Sequence, residues 1–410
     1  SYSTSLVMTI VVIGLLGSSY AILGGLRAVA VSDTLNGVGL LLVGVAVPYL
    51  GLQVLGEGSV GQGWNTVLTA ETHKLNAIGG PSDPTPFATL FTGMILANLF
   101  YWCTNQYVIQ RTLAARSLAE GQKGVLLSGF FKVLVPLLMM IPGVIAYHLY
   151  GPELHPIDLA YPQLVRDVLP VYATGFFLAV LLGAVLSSFN SLINSAATLF
   201  CIDVYQPWVG RPVTDEALLR TAKRVGLTIT AFSLIVAPLL QFAPDGLWQL
   251  IRIFTGFYNI PMIAIVIVGL FTQRVPASAA KLVIVFHILA YGLFQFLFKE
   301  LLPIHFLHLY AILFVIEVIM MLVMGLWRPR LSPAPLPLEA MVDLTPWAYG
   351  KPCAVTLLSC VVALYVTFSP MGLVAGGSIY FGDILLSLAA LNALLWLWWY
   401  RRLHREPEAH

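Results

Sequence analysis

Residues 98–111 of the chain read Asn-Leu-Phe-Tyr-Trp-Cys-Thr-Asn-Gln-Tyr-Val-Ile-Gln-Arg. An apolar segment leads into them from residue 88, so their amides and hydroxyls fall at membrane depth. Polar side chains inside hydrocarbon raise the free energy unless they meet partners or a ligand. Lys132 lies within the next apolar segment and adds a second polar group there. Together the two segments predict a polar solute site partway across a membrane.

The composition indicates a protein that resides in a membrane. Of the 410 residues, 59% are hydrophobic and 10% are charged, whereas a soluble domain is about 25% charged. Lipid admits only helices or closed barrels, and these apolar segments are too long and uniform for barrel strands. The predicted fold class is all-α, a polytopic membrane helical bundle of about 11 transmembrane helices. The apolar segments cover residues 3–24, 33–55, 88–110, 125–149, 172–200, 221–242, 246–272, 280–299, 304–327, 352–369 and 380–400.

The Lys and Arg residues are distributed unevenly between the two sides of such a bundle. If the loop at 25–32 is cytoplasmic, alternation places sixteen of the 21 Lys and Arg residues on the cytoplasmic side. The opposite side holds three, Lys74, Arg166 and Lys299. Because cytoplasmic loops are enriched in basic residues, the predicted topology has the amino terminus outside and the carboxyl terminus in the cytoplasm.

No pattern in the sequence is typical of an enzyme or of a nucleic-acid-binding protein. We find no nucleotide-binding glycine loop, no metal-ligand spacing and no catalytic triad, and the four cysteines have no metal or disulfide spacing. The predicted partners are a small solute and the lipid bilayer, with no nucleic acid and no cofactor beyond a coupling ion. The chain opens inside an apolar segment at Ser1, which we interpret as an amino-terminal truncation.

A run of small and polar residues punctuates the fifth apolar segment between positions 183 and 195. Interrupted helices are typical of transporter sites, so we expect an interruption here. Two adjacent hydroxyls, Ser187 and Ser188, follow the backbone carbonyl of Ala184 by one turn. Hard cations prefer oxygen ligands, and a neutral oxygen set predicts a weak cation site, which suits an ion that must be released. Close helix contact through small residues is an equally weighted alternative.

Three ordered motifs resemble the sodium/solute symporter family, specifically its sodium/glucose cotransporter branch. The resemblance covers about residues 1–330 and implies a leucine-transporter-type fold of two inverted five-helix repeats, here without its first helices. The motifs are Gly24-Gly25-Leu26-Arg27-Ala28-Val29 with Ser32-Asp33-Thr34; Tyr101-Trp102-Cys103-Thr104-Asn105-Gln106 with Gln110-Arg111 and Ala114-Ala115-Arg116; and Ser187-Ser188 with Asn194-Ser195-Ala196, Thr198-Leu199-Phe200 and Asp203-Val204-Tyr205.

The resemblance also implies a division of the chain into segments. The helices that precede this chain in the family would be its upstream partners within the same protein. Since the likeness is to bacterial members, the expected location is the bacterial inner membrane. The segments are residues 1–55, the last two helices of the first repeat; 56–87, an extracytoplasmic loop; 88–272, the second repeat; 273–328, two peripheral helices; 329–351, a cytoplasmic Pro-rich linker; and 352–410, two final helices with a short tail.

Residue by residue, the resemblance assigns two sets of roles. Sodium-coordinating positions match Ala184, Ser187 and Ser188, and an acid on the inner ion-release route matches Asp33. The solute set consists of two ligands of sugar hydroxyls, an aromatic that stacks on the sugar ring as inner gate, and the neighbour of that aromatic. These positions are, in that order, Asn98 and Lys132, Tyr101, and Trp102. Amides and ammonium groups suit pyranose hydroxyls, and an aromatic plate suits the apolar ring face.

Arg252 departs from the family pattern, which places a neutral sugar-binding Gln at this position. An arginine inside a membrane is expensive and is a candidate functional residue. Two interpretations stay open. Arg252 either snorkels or pairs with an acid from a preceding helix, or the solute is anionic, a uronate or sulfated sugar held by Arg252 and Lys132.

The leading functional prediction is sodium-coupled symport of a sugar or sugar-like solute by alternating access. A proton-coupled or uncoupled carrier of the same fold is one alternative, and a transporter-like membrane sensor is another. Elsewhere, His148 and His287 are interpreted as interface or core groups. Glu317 is interpreted as a peripheral helix contact or part of a small wet pocket.

Overall fold

The backbone is almost entirely helical in the part of the chain that the computed structural model describes. The described residues are 2–154, 156–210, 213–242, 247–299, 301–302, 304–330, 342–374 and 378–405. Their α-helices, in chain order, are α1 (Tyr2–Leu55), α2 (Val60–Thr69), α3 (Gly93–Cys103), α4 (Gln106–Leu113), α5 (Leu118–Val135), α6 (Ile141–Tyr150), α7 (Ala160–Val168), α8 (Val171–Leu199), α9 (Gln206–Val209), α10 (Asp215–Val236), α11 (Leu247–Phe271), α12 (Ala277–Leu293), α13 (Phe306–Trp327), α14 (Gly350–Thr367) and α15 (Phe381–Arg405).

Long apolar helices dominate the architecture. Among the described residues, nine helical segments are long and apolar enough to cross a membrane, judged by length and composition. Two shorter apolar helical segments lie within the two remaining predicted spans. They are Ser5–Ser19, which is part of α1, and Gly93–Cys103, which is α3. The predicted all-α membrane bundle is therefore confirmed. Most of the predicted linker at 329–351 falls on residues 331–341, which lie outside the described residues.

The predicted loop at 25–32 is wrong, because the backbone of α1 is helical from Tyr2 to Leu55. Residues 24–32 include the pair Gly24-Gly25 but no proline, and one glycine costs a helix only about 1 kcal/mol. The charged and small residues there are thus insufficient to stop the helix. The topology that was counted from this loop stays a prediction.

The predicted interruption between 183 and 195 is also wrong, because α8 is continuous from Val171 to Leu199. Its small residues serve close packing instead. A Cβ added at Gly183 would overlap the Asn36 amide of α1, and one added at Gly39 would lie 2.6 Å from a Val180 methyl carbon. Small side chains therefore let α1 and α8 approach closely, as the alternative interpretation held.

Helix breaks occur at other positions. The helix is interrupted between α3 and α4, at Thr104 and Asn105, whose backbone N–H groups both donate to the Phe100 carbonyl. This break lies inside the polar segment 98–111. Wider π-helical turns, which often mark functional sites, extend over Pro136–Met140, Phe200–Tyr205 and Phe294–Phe298.

The chain forms two compact units, here called unit 1 and unit 2. Unit 1 comprises Ser1–Asn76, Gln122–Gly246 and Trp347–His410, and unit 2 comprises Ala77–Gly121 and Leu247–Pro346. In unit 1, α1 packs along α8, and a core that includes Val47, Ile145 and Leu164 is fully buried.

In unit 2, the short helix α3 packs against the long helices α11 and α13, and α12 packs against α11 and α13. Their shared core includes Ile260, Tyr291, Leu307 and Tyr310, each at most 2% exposed. A Cβ at Gly93 would overlap the Leu307 carbonyl, so α3 lies close to the start of α13. Unit 2 therefore holds the polar segment of α3 beside α11, the helix of Arg252.

Candidate functional site

The predicted sodium ligands lie together on α8 in unit 1. At 3.6 residues per turn, Ser187 and Ser188 both lie about one turn after Ala184, on the same general face of the helix. The Ser187 hydroxyl donates a hydrogen bond to the Asp33 carboxylate of α1. Ser188 is exposed. The structure thus brings the predicted ion-release acid directly to the predicted sodium ligands.

The packing of α1 on α8 explains this contact. The two helices are antiparallel neighbours: Asn36 lies against Gly183, and Asp33, three residues earlier on α1, meets Ser187, four residues later on α8. Because Gly183 has no side chain, the helices come close enough for two short polar side chains to touch.

The chemistry of this donor set fits a hard cation. A serine hydroxyl has one hydrogen and two lone pairs, so Ser187 can donate to Asp33 and still offer its oxygen to an ion. The Ser188 hydroxyl and the Ala184 carbonyl add neutral oxygens. With Asp33 nearby, the set carries one formal negative charge, which compensates a monovalent cation in a medium of low dielectric.

Sequence reasoning missed one polar residue beside this set. Asn190 is fully buried, and neither of its amide atoms has a hydrogen-bond partner among the described residues. One residue further, the Ser191 hydroxyl donates to the Ser187 carbonyl over 2.9 Å. The run of small and polar residues in α8 contained this signal, but only the packing shows which members are buried.

Three predicted solute residues lie on α3 in unit 2. Asn98 is exposed, and its side-chain nitrogen donates to the Met94 carbonyl over 2.9 Å. The Tyr101 ring stands edge-on to Trp102, with centroids 5.3 Å apart. The hydroxyl of Tyr107 donates to the Tyr101 hydroxyl over 2.7 Å. Because Tyr107 belongs to α4, the helix break at 104–105 allows this aromatic group to form.

Arg252 of α11 meets neutral partners in unit 2. Its Nη1 donates to the Thr85 hydroxyl over 2.9 Å, and to the Pro84 carbonyl and the Gln249 side-chain oxygen over 3.3 Å each. Its Nη2 lies 3.5 Å from the Met94 sulfur. Since Asn98 binds the Met94 carbonyl one turn along α3, Arg252 and Asn98 sit at adjacent turns of the same surface.

His305 lies at the start of α13, near Arg252. The Leu307 backbone N–H donates to His305 Nδ1 over 3.4 Å, so that nitrogen is unprotonated.

Lys132 lies on α5 in unit 1, three residues before the helix ends at Val135. Arg252 and the three α3 residues belong to unit 2. The predicted convergence of Lys132 and Arg252 on one solute therefore stays a prediction.

The interpretation of two further residues is confirmed. His287 of α12 and Glu317 of α13 are both fully buried, and His287 Nδ1 lies 2.5 Å from Glu317 Oε1. His287 is thus a core group, and Glu317 is a contact between α12 and α13. Sequence reasoning did not pair them, because they lie 30 positions apart in different helices.

Comparison with known proteins places the chain in a family. The model of the family described as "SSF: Sodium:solute symporter family" matches residues 1–285. The chain is 43% identical to the "Uncharacterized symporter YidK" of Escherichia coli K12, over 91% of this chain and 65% of that protein. It is 31% identical to the "Sodium/glucose cotransporter" of Vibrio parahaemolyticus, over 77% of this chain and 61% of that protein. The chain thus spans less than two thirds of either relative.

A solved structure has the same fold. It is that of a Na⁺-coupled sialic acid symporter in a substrate-bound outward-open state, and it superposes with a TM-score of 0.67. The match covers 80% of this chain and 67% of that chain. At 21% identity it shows that the two chains share a fold, and nothing beyond that. The predicted leucine-transporter-type bundle is confirmed, and the relatives are transporters rather than enzymes. The family resemblance seen in the sequence motifs is therefore correct: the chain belongs to the sodium:solute symporter family.

Proposed function

We propose that this protein carries out sodium-coupled symport of a sugar-like solute by alternating access across the bacterial inner membrane, with its carboxyl terminus in the cytoplasm. Membership of the family supports sodium as the coupling ion. The observation that carries the proposal is the hydrogen bond from Ser187 to Asp33, which joins a hydroxyl oxygen and a carboxylate oxygen on two packed helices.

The ion would be held by Ala184, Ser187 and Ser188 and released past Asp33. Because Asp33 accepts the hydrogen bond of the Ser187 hydroxyl, the lone pairs of that hydroxyl are free to face a cation. The set holds a single formal charge, and the remaining ligands are neutral oxygens. Such a site binds weakly enough to release its ion, which a transport cycle requires.

The solute would be recognised by α3 and α11 of unit 2. Lys132 of α5 stays a separate predicted ligand of sugar hydroxyls. Asn98 supplies an amide for hydroxyl groups, and Tyr101 supplies a ring for the apolar sugar face, with Trp102 beside it. Every hydrogen-bond partner of Arg252 in the described part of the chain is neutral. Its charge is therefore not matched by a carboxylate there, and this favours a solute that is itself an anion, a uronate or sulfated sugar.

The charge of the solute sets the energetics of transport. A sodium ion that moves inward through 100 mV releases about 2.3 kcal/mol, enough for roughly 50-fold accumulation of a neutral solute carried with one ion. One sodium with one monovalent anion moves no net charge, so the membrane potential then contributes nothing. An anionic solute therefore needs more than one sodium per cycle to use the potential.

Sodium-dependent binding tests the proposal. The intact transporter would be melted with glucose, glucuronate or glucose 6-sulfate, in sodium or in N-methylglucamine at equal ionic strength. We expect at least one sugar to stabilise the protein more strongly in sodium, since a ligand at 100 times its Kd adds about 2.7 kcal/mol. Equal stabilisation in both cations would contradict sodium coupling, and stabilisation restored by acid alone would indicate proton coupling.

The aromatic contact gives a second expected result. Tyr101→Phe keeps the ring and should retain most of the sugar affinity, whereas Tyr101→Ala should lose about 1–3 kcal/mol of binding free energy, or roughly 5- to 150-fold. Isothermal titration with the best sugar measures this. Tyr107→Phe is the matched control, because it removes the other hydroxyl of the pair. If the Ala and Phe variants bind equally well, Tyr101 is a packing aromatic and does not stack on the solute.

A further inference from the structure

A cluster of polar side chains is buried in unit 2, whereas the proposed ion ligands belong to unit 1. Intramembrane polar groups are costly and are retained where they bind or position something. All the members lie on α12 and α13, helices that the proposed transport cycle does not otherwise use. We call them the polar cluster; they are His287, Tyr291, Tyr310 and Glu317, each at most 2% exposed.

Two tyrosines of the polar cluster donate to the backbone of α11. The Tyr310 hydroxyl donates to the Arg252 carbonyl over 2.6 Å. The Tyr291 hydroxyl donates to the Ile253 carbonyl over 3.0 Å. A carbonyl oxygen has two lone pairs, so each can accept this bond in addition to the bond of its own helix.

The histidine of the polar cluster donates to a third carbonyl of α11, that of Gly256. His287 Nε2 lies 3.0 Å from the Gly256 carbonyl oxygen, which can only accept, so Nε2 carries the hydrogen. His287 Nδ1 faces Glu317 Oε1 over 2.5 Å, and this contact requires one proton between the two atoms. Whichever atom holds that proton, the pair is neutral overall. Glu317 thus fixes the orientation of the imidazole that binds α11.

The fit around this stretch of α11 is close. A Cβ at Gly256 would overlap the Tyr310 hydroxyl and ring, so glycine makes room for the tyrosine. The His287 and Tyr291 rings are stacked, with centroids 5.6 Å apart and planes 21° from parallel. Pro261 follows within the same helix; a proline removes one helix hydrogen bond and favours a kink. The turn before it therefore gains from outside support.

We propose that the polar cluster is a positioning device that holds residues 252–256 of α11 and thereby sets the direction of the Arg252 side chain. Arg252 is anchored at its carbonyl by Tyr310, and among the described residues its guanidinium bonds neutral groups. The backbone anchor therefore decides where the charge is presented. His287 and Glu317 act as positioning residues that govern solute preference without contacting the solute. The inference rests on the proposed role of Arg252 in solute binding.

The test measures the ratio of glucuronate affinity to glucose affinity in the intact transporter, with the sodium half-saturation and the folded yield. Glu317→Leu leaves His287 without its partner and should reduce the ratio about tenfold at unchanged sodium half-saturation. Glu317→Gln can donate an N–H to Nδ1 and should retain most of the wild-type ratio. A purely structural role would not produce this rescue together with an unchanged sodium response.

Variants that remove a single hydroxyl keep the inference testable even if Glu317→Leu does not fold. Tyr310→Phe should lower the ratio severalfold, because it releases the Arg252 carbonyl. Thr272→Val is the matched control, since that hydroxyl also bonds a carbonyl of α11, Val268, but lies outside 252–256. A ratio in Tyr310→Phe equal to that in Thr272→Val would overturn the inference, as would a folded Glu317→Leu with the wild-type ratio.

Arg252→Gln, measured in parallel, distinguishes the positioning role of the polar cluster from the proposed role of Arg252 in solute binding. If it changes the ratio while the polar-cluster variants do not, only the inference fails. If Arg252→Gln leaves the ratio unchanged, or if the wild type binds neither sugar, the proposed role of Arg252 fails and the inference fails with it.

Discussion

Ser188→Ala is expected to raise the sodium concentration for half-maximal uptake by about 5- to 150-fold. The estimate follows from the loss of one neutral oxygen ligand, worth about 1–3 kcal/mol. Ser188 is exposed on α8, and no hydrogen bond of its side chain is seen within the described residues. Folding should therefore be nearly unaffected. The measurement is uptake titrated against sodium in the full-length transporter.

The matched control is Thr228→Val on α10, a different helix from that of the proposed ligands; it removes a hydroxyl that bonds the Arg224 carbonyl over 3.0 Å. It should leave the sodium response unchanged. An unaltered sodium half-saturation in Ser188→Ala would remove Ser188 from the ion site. In that case the Ser187 and Asp33 pair would be a helix contact only.

Arg252→Gln should shift the transporter from acidic toward neutral sugars. The wild type is expected to prefer glucuronate or glucose 6-sulfate to glucose, and the variant should lose about 10- to 150-fold of that preference. This range corresponds to about 1.5–3 kcal/mol for a hydrogen bond to a charged group. A binding panel of matched neutral and acidic sugars gives the ratio directly.

Arg252→Lys separates charge from geometry. A lysine keeps the positive charge but loses the planar fork that binds carboxylate or sulfate through two parallel bonds, so an intermediate preference is expected. Preference of the wild type for the neutral sugar would refute the anionic solute. Arg252 would then serve to hold Pro84 and Thr85 against α11.

The general architecture was predictable from sequence because it depends on composition and local pattern. Long apolar segments specify membrane helices wherever lipid is the solvent, and every predicted span overlaps a helix. The polar segment 98–111 also marked a real irregularity, since the helix breaks at Thr104 and Asn105.

The two errors have a common physical origin. Both occur where small residues interrupt the apolar pattern, at positions predicted as a loop or as a helix break. Gly24 and Gly25 do not end α1, and the residues from Gly183 onward do not interrupt α8. Glycine weakens a helix only slightly, and it is favoured where two helices pack closely, as Gly183 does against Asn36. Local sequence does not separate these two uses.

The contacts of the candidate site were beyond sequence reasoning because they join distant positions. Asp33 and Ser187 were both singled out, but their hydrogen bond links residues 154 positions apart. Thr85, which binds Arg252, lies in a polar loop with no distinguishing pattern. For His287 and Glu317, the useful signal was the presence of an ionisable residue in each of two apolar helices.

Transport driven by a sodium gradient alone is the decisive measurement for sodium-coupled symport. The intact transporter would be reconstituted into proteoliposomes, with an inward sodium gradient, no proton gradient and the membrane potential clamped near zero. We predict that the sugar selected by the binding panel accumulates above its external concentration, that labelled sodium enters with it, and that Ser188→Ala suppresses both fluxes at low sodium. Equal uptake without the sodium gradient, or accumulation driven only by a proton gradient, would contradict sodium-coupled symport.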